Sequence, residues 1–526
     1  QYGQVSVPAR GLIFCSRNDE ARELSELLNR RSVFGNPLRT KAVSGADSVA
    51  HRERAVQELE CGELDYILSV DIFNEGIDIP SLNQVVMLRQ TQSPIIFTQQ
   101  LGRGLRKRLG KDYLVVIDFI GNYANNYLIP TALFGEAANN KEQLRRRLIG
   151  NDGDHIIAGI SSINFDKIAK ERIFSSLAAA KLDAMPQLRE AYRALKARLG
   201  RQPMLLDFLS HRSSDPVVVG TKEGNYASFT AKVEPDEVLK PRLSTDGGRI
   251  LTFLTTELLN AKRPQELLLL RELLARIGPY PISEYRRLLS SRGLESSEAT
   301  LKSVERILSL EWFTKSEWKK YGSEPLVRFD GTCYHLSARW LAAWECPDDF
   351  PRFAQDVLDT GLEISRTRFG SADGLVAGER YSRKDACRLL NWSKNEQGTI
   401  YGYKVDRDSN TCPIFVTYHK ADDVSESTRY GDRFVDQQTL FWYTRSNRTL
   451  ETGEVAAIVS HSLPIQLFVK KDDAEGTDFI YLGEVTPTNA EQTQMSGNDS
   501  LPVVTMNLEL AEPIDGATFD YLTGDL

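Results

Sequence analysis

The stretch Tyr66-Ile-Leu-Ser-Val-Asp-Ile-Phe-Asn-Glu-Gly-Ile-Asp-Ile-Pro80 decides the fold class. Its first five residues are β-prone and apolar, and they run into a loop where Gly76 allows close backbone approach and Asp78 offers a carboxylate. Working outward toward the N-terminus, Gly11-Leu-Ile-Phe-Cys15 is a short strand. It feeds a helix with Ser16 and Asp19 at capping-box spacing and Ala21, Leu24, Leu27 and Leu28 at helical spacing. Lys41-Ala-Val43 is a further strand, and Ala55, Val56 and Leu59 mark a second helix. Toward the C-terminus come the strand Gln84–Leu88, a helix from Ser93-Pro94, and the strand Tyr113–Phe119. Strands alternating with helices predict a parallel sheet covered on both faces, with ligands at the carboxyl ends of the strands. The loops after Val70 and Leu88 are therefore where chemistry is expected.

The helix after Leu88 carries Gln99, Gly102, Arg103 and Arg106. Steps of four and three residues put Gln99, Arg103 and Arg106 on one helical face, with Gly102 leaving room beside them. Guanidinium is planar and permanently charged, which suits a phosphoryl group whose charge is redistributed during transfer.

These residues resemble the second RecA-like domain of superfamily-two helicases and translocases (DEAD/DEAH-like), in a bacterial chain. Phe14-Cys-Ser16 looks like the fourth motif, Ser69–Pro80 like the fifth and Gln99–Arg106 like the sixth. The resemblance implies Arg103 and Arg106 as catalytic arginines reaching a nucleotide's phosphates. It implies Gly76, Asp78, Gln99 and Gly102 as nucleotide-binding, and Ser16, Arg17, Ser44, Gly45 and Ser69 as nucleic-acid contacts. ATP and Mg2+ are the implied cofactors, held mainly by a first RecA-like domain acting in cis.

That first half is missing from the sequence. No G-x-x-x-x-G-K-[ST] loop exists, since Gly110-Lys111-Asp112 has neither the upstream glycine nor the hydroxyl. Asp19-Glu20-Ala21-Arg22 imitates an acidic box but reads as ordinary negative charge at a helix start. With a first residue of Gln1, the expectation is a C-terminal fragment that does not hydrolyse ATP alone.

Composition narrows the class further. At 526 residues, with 41% hydrophobic and 26% charged residues, the chain is globular and multidomain. Its net charge of −7 excludes a protein held to nucleic acid by bulk charge. Residues 1–150 carry 19 Lys and Arg against 17 Asp and Glu, leaving 46 against 55 of the totals of 65 and 72 for the rest. The six cysteines form no C-x-x-C pair, which disfavours a zinc ribbon and fits a reducing, cytoplasmic setting. No metal site is predicted, and no apolar run suits a membrane span.

Beyond Pro130 the alternation stops. Lys141-Glu-Gln-Leu-Arg-Arg-Arg147 opens a helix-rich region, and Leu188, Tyr192, Leu195 and Leu199 form an apolar stripe with a basic opposite face. Helices from Pro264, near Ile282–Ser290 and over Ser297–Leu310, followed by β-like segments at Trp312-Phe313 and Val327–Phe329, suggest a winged helix. Its third helix and Lys315, Lys319 and Lys320 would approach DNA. From Gly374, short aromatic and β-branched runs (Thr399–Tyr403, Pro413–Tyr418, Thr439–Tyr443, Ile465–Val469, Asp478–Leu482, Val503–Asn507) predict an all-β barrel or sandwich, ending in a loosely packed polar segment from Ser496. Arg383, Lys384, Arg388, Trp392 and Lys394, and again Trp442, Tyr443, Arg445, Asn447 and Arg448, mix cations with aromatics as a base-stacking site would. Aromatics in a β core with cations at the rim explain them as well. His419 and His461 have no nucleophile at a recognisable spacing. This helical middle and β tail resemble an uncharacterised domain that follows the helicase core in many bacterial proteins.

The expected architecture is multidomain: a RecA-like domain over residues 1–135, a helical accessory region over 136–262, a winged-helix-like domain over 263–373 and a β-rich domain over 374–526. The expected function is the C-terminal part of an ATP-dependent DNA helicase or translocase. RNA is the alternative track, the N-terminal RecA-like domain the partner in cis, and defence or repair proteins further partners. The competing reading is a DNA-recognition module of a defence system on a non-catalytic RecA-like scaffold.

Overall fold

The computed structural model describes residues 8–33, 35–70, 79–89, 114–119, 141–149, 167–179, 183–276, 278–369, 374–419, 431–494 and 501–524. They fall into two compact units, Gln1–Lys181 and Leu182–Leu526.

The first unit is built on β1 (Gly11–Phe14), α1 (Asn18–Asn29), the short pair β2 (Ser32–Val33) and β3 (Asn36–Pro37), β4 (Thr40–Val43), α2 (Val49–Cys61), β5 (Tyr66–Ser69), β6 (Gln84–Met87) and β7 (Val115–Asp118). The five main strands lie in the order β4-β5-β1-β6-β7, and every adjacent pair is parallel. Because successive strand side chains point to opposite faces, Leu12 and Phe14 pack with Ala55, Val56 and Leu59 of α2, while Ile13 and Cys15 pack with Ala21 of α1. This is the two-faced parallel α/β sheet of RecA-like type expected from the alternation. One stripe position differs: Leu27 is exposed, and Ala21, Leu24 and Leu28 make the sheet contact. Ser48 caps α2 by accepting from the His51 N–H at 3.2 Å, and Gly62, at φ 80°, ends it in a left-handed turn. Helices α3 (Lys141–Ile149) and α4 (Lys167–Ala179) follow. The predicted helix from Ser93 lies outside the described residues.

The second unit begins with α5 (Met185–Leu199), α6 (Leu205–Ser210), α7 (Pro216–Thr221), α8 (Tyr226–Val233), α9 (Thr245–Phe253) and α10 (Gln265–Arg276). Next come β8 (Tyr280–Pro281), α11 (Ile282–Ser291), α12 (Glu298–Leu308), α13 (Lys315–Lys320), β9 (Val327–Phe329) and β10 (Cys333–Leu336), then α14 (Ala338–Glu345) and α15 (Phe350–Ile364). The three small strands form one antiparallel sheet in the order β8-β10-β9. Trp312-Phe313 is not a strand: Trp312 is buried and its indole N–H donates to the Trp392 carbonyl at 3.0 Å. Its aromatic character serves the core, which runs without interruption from Leu188 to Tyr481.

The C-terminal part is α/β, which corrects the all-β expectation. Strands β11 (Arg380–Tyr381), β12 (Cys412–Thr417), β13 (Arg433–Phe434), β14 (Thr439–Tyr443), β15 (Ile465–Lys470), β16 (Phe479–Gln494) and β17 (Pro502–Leu510) form one sheet. Its order is β12-β15-β16-β17-β14-β13, with β11 beside β16. The β12–β15 pair is parallel and the others are antiparallel, so the sheet is mixed, and the described residues form no closed barrel. Helices α16 (Arg383–Leu389), α17 (Gly453–Val459) and α18 (Gly516–Thr523) accompany it. All six residues of β15 are buried, as in a strand covered on both faces rather than in a half-exposed barrel wall. Thr399–Tyr403 makes only isolated bridges, not a strand. The chain end is packed as well: Val503, Val504, Met506 and Leu508 are fully buried and Asp515 caps α18.

Candidate nucleotide and nucleic-acid interface

The carboxyl edge of the first sheet gathers the described candidates. Val43, Ser69, Phe14, Met87 and Asp118 are successive register partners across β4-β5-β1-β6-β7, so the five strands end level. Ser16 and Arg17 leave β1, Ser44 and Gly45 leave β4, and Ser69 ends β5. Five of the predicted site residues thus sit at the ends of three adjacent strands.

Their local chemistry differs. The backbone N–H groups of Ser16 and Arg17 both donate to Glu20, at 2.9 and 3.3 Å, and the exposed Arg17 guanidinium pairs with Asp19 at 3.2 Å. Glu20 therefore works as a helix-start carboxylate, and an anion seeking those two N–H groups would have to displace it. Ser44 is buried, and both its N–H and its hydroxyl donate to Asp47, at 2.6 and 2.9 Å. Those two bonds hold the Asp47 carboxyl below its usual range, and they leave Gly45 as the exposed part of the turn. Ser69 is buried and its hydroxyl makes no hydrogen bond among the described residues. Cys15, beside it, is buried beyond reactivity, its thiol pushed up to about 11 by desolvation.

Asp118 is a candidate that the sequence did not single out, because it ends an otherwise apolar strand. Desolvation raises its carboxyl to about 6, and one of its oxygens has no hydrogen-bond partner among the described residues. Gly76, Asp78, Gln99, Gly102, Arg103 and Arg106 lie outside the described residues.

The tryptophans and most cations of the C-terminal cation–aromatic clusters are committed to packing, while Lys394 is exposed. Trp392 and Trp442 are buried, Trp392 donating its indole N–H to Thr411 at 2.9 Å. Arg388 is buried against Glu266 at 2.9 Å, Lys384 binds Glu257 at 2.8 Å and Glu317 at 2.7 Å, and Arg445 binds Glu454 at 2.6 Å. Arg383 lies over the rings of Phe415 and Phe479. Neither tryptophan can stack on a base without unpacking the core. Lys315, Lys319 and Lys320 on α13 remain exposed. Among the described residues no three His, Cys, Asp or Glu side chains are grouped to hold a metal ion, and no helix is long and apolar enough to cross a membrane.

Comparison with known proteins gives the first unit a helicase relationship. Residues 4–108 match the helicase conserved C-terminal domain, and residues 188–368 and 375–522 match two domains of unknown function, DUF8090 and DUF3427. Over 86 residues the chain is 34% identical to a putative ATP-dependent helicase, IRC3, of Saccharomyces cerevisiae, covering 16% of this chain and 12% of that protein. It is 27% identical over 145 residues to the ATP-dependent DNA helicase mph1 of Sclerotinia sclerotiorum, covering 26% and 11%. It is 29% identical over 97 residues to the ATP-dependent RNA helicase SrmB of Haemophilus influenzae, covering 18% and 21%. The solved structure of the E. coli DEAD-box protein SrmB bound to RraA overlaps 22% of this chain and 64% of its own at 21% identity, with a TM-score of 0.18. The chain thus spans well under two thirds of the length of the curated relatives it matches. Residues 4–108 carry a helicase conserved C-terminal domain, followed by a DUF8090 and a DUF3427 domain.

Proposed function

We propose that this chain is the C-terminal part of an ATP-dependent DNA helicase or translocase. In this reading Arg103 and Arg106 complete an ATP site formed with a first RecA-like domain, while Gly76, Asp78, Gln99 and Gly102 line the nucleotide's side of the cleft. The observation that carries the reading is the level carboxyl edge, where Phe14 of the fourth motif and Ser69 of the fifth are register partners on adjacent strands. Mg2+ would be held mainly by the first RecA-like domain together with the nucleotide's phosphates. When bound, ATP supplies the phosphoryl group whose hydrolysis drives motion. This chain's share is to place two guanidiniums and the polar turns of Ser16, Ser44 and Gly45 near the phosphates and the strand.

The order α10-β8-α11-α12-α13-β9-β10, with sheet order β8-β10-β9, supports reading this segment as a winged-helix-like module with a short extra helix before the hairpin, and we assign it to nucleic-acid contact. The four-domain division, a bacterial source, a cytoplasmic location and partners in defence or repair complete this reading. The relatives' printed names include both DNA and RNA helicases, and we favour DNA as the track.

The test is ATP turnover of the full-length protein with and without single- and double-stranded DNA or RNA, comparing wild type with Arg103→Ala. DNA-stimulated turnover that falls about 10³-fold or more in the variant supports the motor. Near-normal turnover in the variant refutes the assignment of Arg103.

A further inference from the structure

Between α12 and β9 lies an open cavity of 520 Å³ whose lining combines three kinds of chemistry. One wall is aromatic: the rings of Phe329 and Tyr334, paired across β9 and β10, have centroids 4.8 Å apart at an interplanar angle of 33°. A second element is cationic. Lys302 and Arg306, one turn apart on α12, line it, and Arg328, whose side chain leaves the other face of the edge strand β9 from Phe329, stands at its rim. Lys302 pairs with the exposed Glu298 at 3.0 Å, and its charge and that of Arg306 act on Glu305, but neither the Arg306 nor the Arg328 guanidinium forms a salt bridge among the described residues. Elsewhere in this unit arginines such as Arg263, Arg339, Arg380 and Arg388 are held by carboxylates. Among the described residues, the guanidiniums of Arg306 and Arg328 are thus not held by a carboxylate within ion-pair distance.

The third element is an acceptor. Glu305 accepts from the Tyr334 hydroxyl at 3.1 Å through one oxygen, and its other oxygen makes no hydrogen bond among the described residues. Burial raises its carboxyl above the ordinary range, so a donor arriving at that oxygen would be favoured. A simple anion would suit the guanidiniums but meet repulsion from Glu305 and Glu311. An apolar ligand would leave the guanidiniums unused. A nucleotide satisfies all three: a flat π-face for the aromatic wall, phosphate for the guanidiniums, and a base amino group for the carboxylate. A base paired within a duplex cannot present its face, so the strand must be single.

We infer that this cavity takes one unpaired nucleotide of a single-stranded nucleic acid, with its base on Phe329, its flanking phosphates on Arg306 and Arg328, and a base amino group on Glu305. The cavity is built from residues of the second unit alone, and binding there needs no ATP turnover. Thymine has no exocyclic amine and turns carbonyl oxygens toward Glu305. Strands of adenine or cytosine are therefore held more tightly than strands of thymine.

The experiment measures binding of fluorescently labelled oligo(dA), oligo(dC), oligo(dT) and oligo(rA) to the whole chain by anisotropy over a range of salt, with AMP as competitor. Wild type should prefer oligo(dA) and oligo(dC) to oligo(dT), and should bind oligo(rA) too, since none of these contacts involves the sugar. In the double variant Arg306→Ala/Arg328→Ala, affinity for every strand should fall about tenfold or more at low salt, and the salt slope should drop by about 2. Arg328 is exposed and Arg306 half-buried, and an unchanged thermal melt will show that the fold is intact. Glu305→Gln, whose amide can donate to a thymine carbonyl, should narrow the preference for oligo(dC) over oligo(dT). Unchanged affinity and salt slope in the double variant, no base preference in wild type, or displacement by AMP as effective per nucleotide as by oligo(dA) would each overturn the inference. ATP turnover is not part of the measurement, so its outcome and that of the motor reading are independent.

Discussion

Glu266 on α10 holds Arg388 on α16 at 2.9 Å, with side-chain exposures of 0% and 9%, across 122 residues of sequence. Burial alone would raise the Glu266 carboxyl, but the guanidiniums of Arg263 and Arg388 hold it below the usual range. Arg263 extends the link, donating to Ser303 of α12 at 2.8 Å and to the Arg388 carbonyl at 2.9 Å. Nearby, Lys384 of α16 bridges Glu257 and Glu317. The DUF8090 and DUF3427 regions therefore share a buried ionic cluster as well as one apolar core.

Removing the shared anion should unfold both regions together. Glu266→Gln leaves two buried guanidiniums short of a negative charge, a loss of about 3–5 kcal/mol for breaking a buried pair. Scanning calorimetry should show one transition for Leu182–Leu526, shifted as a whole. Two transitions of which only one moves would count against the coupling.

Asp356 on α15 makes stability depend on pH. Desolvation raises its carboxyl to about 7, although the backbone N–H groups of Leu205 and Leu206 donate to it at 2.7 and 3.2 Å. Between about pH 4 and 7 the folded chain keeps this proton while the unfolded chain loses it, so stability falls as pH rises through that window and then levels off. Asp356→Asn should remove this slope, and the difference between variant and wild type in melts from pH 4 to 8 isolates it. Parallel profiles would refute the assignment.

Gly322 requires its lack of a side chain twice over. Its φ is 102°, and a Cβ there would collide with the guanidinium of Arg339, which is held by Asp246 at 2.9 Å. Gly322→Ala should cost about 1–3 kcal/mol from backbone strain alone, measurable as a lower denaturant midpoint. Restoration of stability by the added change Arg339→Ala would show that the collision, rather than φ, dominates.

If Arg103 acts as a phosphate-directed finger, charge alone will not replace it. Arg103→Lys in the full-length protein should stay within about tenfold of the Arg103→Ala turnover, because lysine lacks the planar fork that engages two oxygens. Near wild-type turnover in the lysine variant would point to a purely electrostatic role.

The first sheet was legible because its signals are local. Leu12 and Ile13 alternate between two faces, Gly62 stops α2, and Ser48 starts it, each within a few residues of sequence. Leu27 escaped because helical spacing admits a wider stripe than the sheet covers. Trp312 misled because its aromatic pair with Phe313 reads as a β-like segment, whereas Trp392 and Trp442 proved to be the core aromatics that the packing reading allowed. Asp118 gave no warning, since its significance lies in ending level with Phe14, Ser69 and Met87.

By itself the sequence determined the strand–helix alternation, the parallel sheet and the order of the helicase motifs, because periodicity, caps and motif spacing are properties of neighbouring residues. Only the tertiary structure decided that β12 and β15 run parallel in a mixed sheet. It alone showed that Arg388 and Lys384 neutralise carboxylates more than a hundred residues away from the former and dozens to over a hundred from the latter, and that Arg306 and Arg328 do not. Which charge meets which is set by packing between distant segments, and burial makes each pairing obligatory, since an unpaired charge in the interior costs more than the core can spare.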